Sequence, residues 1–357
     1  MTKDKKQKSR IGNLIWIFII VVGIIIFWYP YENSLTEAEP YIDPIETNNM
    51  ELRGQVTSIV KDCPSNDKNC YVNKIYRYVV ENFNYYPDPR RDEVIQTPYE
   101  TLSIKGGDCE DLTILLNSYL ENIGVETYVV LTNTHAYSLA CGVDTDLLYE
   151  YIQESLTDQI AKDLGKAQEL EVIVYKGNIY IVDKANQELD LDGGEIYYYG
   201  GDGSYLEYPL EFLDVEYSIS SSEPINIYVV PTREDFNSLI EGETFSHYES
   251  CQNKNIISIS DSCESLDQYG GIIIQNPDFE EDLGFSLDIK FYFKYSSNNT
   301  LAELIKDNGV SYYRIGKERC VVLDATAGEY GYAGYDGNLE EEKTAINTIT
   351  REYYKLE

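Results

Sequence analysis

Two residue types in this chain can do nucleophile-and-base chemistry together, and they are scarce: seven cysteines and two histidines in 357 residues. Cys109 sits in "SIKGGDCEDLTILL" (103–116), after two glycines and an aspartate and just ahead of an apolar run. A thiol becomes a nucleophile as the thiolate, and an imidazole within hydrogen-bond reach can take its proton. His135, in "THAYSLACGV", is the histidine that can meet it. A helix from Cys109 to Ile123 climbs about 22 Å at 1.5 Å per residue. A strand over 125–132 returns about 26 Å. The chain turns at "TNT" and starts the next strand at His135, level with Cys109. His247, in "TFSHYESC", reads as a surface or core residue.

The elements that must position this pair are legible around it. Asp108 is a natural N-cap, and Gly106–Gly107 allow a tight approach to the helix. Cys109 falls in the first turn, where the helix dipole favours a thiolate. Glu110 and Asp111 oppose that charge and are expected to point outward. Leu112, Leu115, Leu116 and Tyr119 form the apolar face, and Gly124 stops the helix. Upstream, residues 49–83 read as two helices broken at "KDCPSNDKNC", followed by an extended, proline-containing stretch. Downstream, "VETYVVL" and "THAYSLACGV" are strands and "DTDLLYEYIQESLTDQIAKDLG" is an amphipathic helix. "LEVIVYKGNIYIVD" is a hairpin with a Gly-Asn turn, and short strands over 224–293 suggest a β-sandwich.

Charge and cysteine usage bound the setting. With 62 Asp+Glu against 28 Lys+Arg the chain carries a formal charge of −34, which excludes nucleic acid as a partner because little here would neutralise phosphates. "MTKDKKQKSR" precedes an uncharged stretch from Ile11 to Tyr29, flanked by Trp16, Trp28 and Pro30. Nineteen helical residues span roughly 28 Å, so the segment is expected to be a transmembrane anchor, with the basic end cytoplasmic and the rest outside. Cys63 with Cys70, and Cys251 with Cys263, are spaced to close short loops. If Cys141 pairs with Cys320, Cys109 is the odd thiol; pairing cannot be deduced from sequence. No Cys-x-x-Cys pair and no clustered histidines support a zinc site, and the turn at 336–338 ("DGN") is an ordinary turn with only a weak calcium signature.

The run "TPYETLSIKGGDCEDLTILLNSYLENIGVETYVVL" followed by "THAYSLACGV" resembles the transglutaminase-like superfamily of papain-like Cys–His–Asp enzymes, in its archaeal and bacterial membrane-associated branch, with His-Ala-Tyr where His-Ala-Trp is usual. The resemblance covers about residues 50–143. It implies an α+β fold: a helix-borne cysteine packed on an antiparallel sheet, with an inserted or appended β-sandwich and a single N-terminal transmembrane helix. It also implies a third catalytic residue, an aspartate on a strand antiparallel to the histidine strand. Asp324, in "CVVLDATAG", keeps Asp-x-Thr; Asp183, in "NIYIVDKA", is nearer in sequence and lacks the threonine. Facing residues in an antiparallel ladder have a constant sum of numbers, 459 for His135 with Asp324 and 461 for Cys141 with Cys320. The near-match favours Asp324 and leaves Asp183 as the alternative.

On this reading residues 1–10 are a cytoplasmic basic segment, 11–29 the anchor, 30–48 a stalk and 49–143 the core. Residues 144–223 are a helical and hairpin insertion, 224–296 the sandwich and 297–357 the return to the core. The expected function is thioester-forming hydrolysis or transfer of protein or peptide amides at the cell surface by Cys109, His135 and Asp324. The Cys109 backbone N–H and Gln96 are the oxyanion donors, and no cofactor or metal is needed. The alternative is a non-catalytic surface-binding protein that keeps the fold.

Overall fold

A computed structural model describes residues 38–89, 93–168, 171–200, 209–305, 309–337 and 342–356. Among them no helix is long and apolar enough to cross a membrane. This corrects the expected single-pass anchor and membrane localisation; the segment 11–29 that carried them lies outside the described residues, as do 1–10 and the start of the stalk. The described chain is a mixture of helices and antiparallel sheets in two compact units. One unit takes the chain up to Ile152 and resumes at Asp307; the other is Gln153–Lys306.

The first unit begins with a helical turn over 38–42. Ala38 and Ile42, with Ile45 after them, are buried against Ile114, Val129 and Ile346, so this part of the expected stalk belongs to the core. α1 (Met50–Ile59) comes next, and its N-cap Asn49 accepts hydrogen bonds from the Glu51 and Leu52 backbones. α2 (Lys68–Asn82) follows, with Val72, Ile75, Tyr76 and Val79 fully buried on one face. The short pair β1 (Asn84–Tyr85) and β2 (Gly106–Gly107) brackets α3 (Pro98–Ile104). Then comes α4 (Cys109–Asn122), the centre of the unit. Its side chains are buried almost all round, as expected of a helix enclosed by other elements rather than lying on a surface. β3 (Thr127–Leu131) and β4 (Ala136–Cys141) form the hairpin after it. α5 (Thr145–Gln168) carries the chain out of this unit.

In the second unit β5 (Glu171–Tyr175) and β6 (Asn178–Leu191) are joined by Lys176 and Gly177, both at positive φ. The hairpin turn is therefore Lys-Gly rather than Gly-Asn, a shift of one residue that still supplies the two left-handed positions of a type I′ turn. β7 (Ile196–Gly200), β8 (Leu210–Val230), α6 (Arg233–Ile240), β9 (Asn253–Leu266), β10 (Gly271–Gln275), β11 (Leu283–Tyr295) and α7 (Asn298–Ile305) complete it. β5, β6, β11, β8, β10 and β7 are hydrogen-bonded in that order, with β9 also on β8. The strand-rich part thus begins well before residue 224. The long β8 pairs with both β11 and β10, so both of its ends feed one apolar cluster that includes Leu213, Ile227, Ile274 and Phe291.

Back in the first unit, β12 (Tyr312–Ile315), β13 (Glu318–Leu323), β14 (Lys343–Asn347) and β15 (Tyr353–Leu356) join β3 and β4. The sheet order is β12-β13-β4-β3-β14-β15 and every pairing is antiparallel. The two central strands, β4 and β3, are thus each flanked on one side by a strand from the C-terminal fifty residues. Disulfides join Cys63 to Cys70, Cys141 to Cys320 and Cys251 to Cys263, and Cys109 is a free thiol.

Candidate active site

The entry to α4 is built by close approach rather than by a glycine turn. The left-handed residue is Lys105, at φ 60°, while Gly106 and Gly107 have ordinary φ. A Cβ on Gly106 would lie 2.3 Å from the Asn84 carbonyl oxygen, and one on Gly107 would lie 2.5 Å from the Asp111 Cβ. The glycines are needed so that β2 can lie against β1 and beneath the Asp111 carboxylate. Asp108 and Asp111 form a reciprocal capping box at the helix start. Asp111 is fully buried; its Oδ1 accepts the Gln96 backbone N–H at 2.7 Å and its Oδ2 accepts the Asp108 N–H at 3.3 Å. It ties the extended segment before α3 to the first turn of α4.

His135 stands immediately before β4. Thr132 and His135 close the turn from β3, with the His135 N–H donating to Thr132 Oγ1 at 3.0 Å and the Thr132 N–H to the His135 carbonyl at 2.9 Å. The His135 Nε2 lies 3.0 Å from Asp324 Oδ2, and both side chains are largely buried. Asp324 follows β13. Its Oδ1 accepts the Thr326 N–H at 2.9 Å and the Thr326 hydroxyl at 2.7 Å, which explains the threonine of Asp-Ala-Thr. Burial acts to raise the Asp324 carboxyl, but the hydrogen bond and charge of His135 and the Thr326 donors outweigh it and hold it below the ordinary carboxylate value.

Facing pairs in β13 and β4 run Cys320–Cys141 to Leu323–Ser138. Continued past the strand ends, that register sets position 324 opposite 137, so His135 and Asp324 meet diagonally. Asp183, the alternative third residue, is in β6 of the second unit, opposite Phe291. His247 is also in the second unit, half-buried against Tyr228 and Phe245.

The Cys109 sulfur accepts a backbone N–H from Ala136, the residue after His135, which places the thiol at the head of β4. The thiol itself donates to Glu110 Oε2 at 3.0 Å. Contrary to the sequence expectation, Glu110 and Asp111 both turn inward, only 6 % and 0 % exposed. α4 has no outward face for them, because protein covers it on all sides. Burial first, then the hydrogen bond and charge of Glu110, push the Cys109 thiol up to about 12. Burial and contact with Glu110 raise Asp108 to about 7, and burial raises Asp111 to about 6. The dipole of one helix start is thus outweighed by desolvation and nearby carboxylates, and the resting sulfur is a neutral thiol.

Residues that the sequence did not single out hold the Asp324 side. The Tyr76 hydroxyl donates to the Asp324 carbonyl at 2.8 Å, and Arg77 Nη1 donates to the Glu329 and Gly331 carbonyls, each at 3.2 Å. Their signal was an arginine beside the apolar face of α2, buried with it. Gln96 spends its backbone N–H on Asp111, and its side-chain Oε1 is buried without a hydrogen-bond partner. Asp336, in the turn weighed for calcium, is instead buried against Lys343 and Tyr313.

Residues 57–143 match the transglutaminase-like superfamily. That transglutaminase-like segment is about a quarter of the chain and contains α2, α4, Cys109 and His135, but not Asp324. It is a family whose members usually carry cysteine-dependent activity. No curated protein matches the chain. Among solved structures, the Yersinia pseudotuberculosis-derived mitogen is similar at 13% identity over 30% of this chain and 84% of its own, with a TM-score of 0.21. A structure described as "CBM4 structure and function" is similar at 8% identity over 34% of this chain and 87% of its own, with a TM-score of 0.18.

Proposed function

We propose that this protein is a cysteine acyl-transfer enzyme acting on protein or peptide amides, with Cys109 as nucleophile, His135 as base and acid, and Asp324 as the residue that orients the imidazole. The observation that carries the reading is the bond from His135 Nε2 to Asp324 Oδ2, with the Cys109 sulfur accepting the backbone N–H of Ala136, the residue after His135. With Nε2 facing Asp324, Nδ1 is the nitrogen that exchanges a proton with sulfur. In the first step the S–H proton moves to Nδ1 as sulfur bonds to the amide carbonyl carbon, giving a tetrahedral oxyanion. The imidazolium then protonates the leaving nitrogen, the C–N bond breaks and a thioester remains. Water or an amine attacks the thioester, giving up a proton to His135, and releases the acid or the new amide. Donors for the oxyanion are the Cys109 backbone N–H and the Gln96 side-chain amide.

A neutral resting thiol suits this sequence of steps, since the proton leaves only as the carbonyl arrives. The same neutral thiol is what a non-catalytic binding protein retaining the fold would display, and the three disulfides are consistent with an extracellular location for either.

The test is acyl-enzyme trapping. The full chain is incubated with a peptide p-nitroanilide or glutamine-containing peptide library and with a peptide aldehyde, followed by intact-mass measurement. A covalent adduct on Cys109 that is absent in Cys109→Ala and in His135→Ala supports the enzyme. A wild-type chain that forms no adduct and releases no amine from any substrate, while remaining folded, rejects it.

A further inference from the structure

Carboxylates converge at the start of α4 in a number the Cys–His–Asp reading does not use. Asp88, Glu93 and Glu110 each offer an oxygen, and these oxygens lie within 4.8 Å of one another. They come from the segment after β1, the segment before α3 and the first turn of α4. Asp88 is held by the Val94 N–H, which donates to its Oδ2 at 2.5 Å. Glu93 accepts the Tyr41 hydroxyl at 3.2 Å. Glu110 is buried, Asp88 half-buried and Glu93 exposed, so the group opens to solvent on one side.

A separate observation points to a ligand. Asp108 is only 6 % exposed, its carboxyl contacts that of Glu110 and is disfavoured as an anion by the charge of Asp88, and its Oδ1 is buried with no hydrogen-bond partner. A buried carboxylate oxygen without a donor loses its hydration and gains nothing in return unless a cation or a proton reaches it. Among the described residues no Lys or Arg is ion-paired with Asp88, Glu93, Asp108 or Glu110.

We infer that Asp88, Glu93 and Glu110, backed by Asp108, form a binding site for a hard divalent cation of the size of Ca2+ beside the first turn of α4. All the donors are oxygens, the preference of a hard cation. Oxygens held at 2.3–2.6 Å on opposite sides of Ca2+ stand about 5 Å apart, so the three carboxylates can close on one ion by side-chain adjustment alone. The site is independent of turnover: it is read by binding, whether or not Cys109 forms a thioester.

The experiment uses the full chain with its disulfides intact, stripped of metal by chelating resin, in buffer near physiological salt to suppress diffuse binding to the acidic surface. Ca2+ is titrated by calorimetry, and Tb3+ by luminescence sensitised through tyrosine, Tyr41 being hydrogen-bonded to a ligand. One saturable Ca2+ site is expected, with Ca2+ displacing Tb3+. Asp88→Asn and Glu93→Gln, both at positions with solvent access, are expected to weaken binding at least tenfold, and Asp288→Asn, on an exposed strand position, to leave it unchanged. Equal affinity in Asp88→Asn, Glu93→Gln and wild type would overturn the site by locating the ion elsewhere. No uptake in folded wild-type protein would also overturn it.

Discussion

Glu110 Oε2 accepts the Cys109 thiol proton across 3.0 Å, from the adjacent position in the same helical turn. The contact favours S–H over S− twice, by accepting its hydrogen and by repelling the anion that would replace it. In metal-free buffer, Glu110→Gln keeps an oxygen acceptor and removes the charge. The Cys109 pKa is expected to fall from about 12 by roughly one to three units. The measurement is the pH dependence of iodoacetamide labelling at Cys109, with labelling at pH 8 rising about tenfold or more. An unchanged profile would mean that desolvation alone sets the thiol.

Asp324→Asn is expected to lower kcat by about 10²–10⁴ without a comparable change in KM, because the ring loses the carboxylate that stabilises its cation. Asp183→Asn, in the other unit, is expected to leave kcat within twofold. Thr326→Val removes the hydroxyl donor but keeps the backbone one, and should fall between them. Steady-state kinetics on the three variants orders the effects; equal loss in the Asp183 variant contradicts the assignment.

The depressed Asp324 carboxyl also sets a pH dependence of stability. A group whose value is lower folded than unfolded binds fewer protons in the native state. Its stabilisation is therefore complete above the ordinary carboxylate value and is lost as pH falls through the folded value. Thermal melts are expected to lose stability below about pH 4, and Asp324→Asn should lose less over that interval than wild type.

The disulfide between Cys141 and Cys320 closes a loop with a sequence separation of 179. Removing it with the double Cys141→Ser, Cys320→Ser change is expected to cost about 3–5 kcal/mol in urea unfolding of the first unit. It should also reduce activity, because the bridge pins β13 to β4 beside the His135–Asp324 contact. Full activity in the double variant would make the ladder alone sufficient.

At the helix entry the two backbone explanations can be separated. Gly107→Ala places a methyl against Asp111, which must then release the Gln96 or Asp108 N–H, and a loss of about 1–3 kcal/mol is expected. Lys105→Gly relieves the one left-handed residue and should be neutral or stabilising in the same melts.

The parts of the site that could be read from sequence are those whose geometry is local or periodic. α4, the return strand and the turn before His135 follow from rise per residue, and the ladder sums come within two residues of the observed 461 register. The orientation of Glu110 and Asp111 could not be read that way. A charged pair in a first helical turn normally meets water, and only the complete enclosure of α4 turns them in. Tyr76 and Arg77 grip the Asp324 segment from about 250 positions away, a distance at which no local pattern operates. In the second unit the alternation of strands was visible, but how β8 is shared between β11 and β10 depends on pairings between distant strands, which no single stretch encodes.

The path of the chain imposes an order of events during synthesis. A ribosome adding about 5–20 residues per second makes Cys109 and His135, then a whole second unit, before it reaches Asp324. β14, which covers the open side of β3, emerges later still. Until the last part of the chain is made, His135 has no carboxylate behind it, and the sheet is missing strands on both flanks. On the proposed reading, a nascent or prematurely ended chain is therefore inert, and the full Cys–His–Asp set assembles only with the tail.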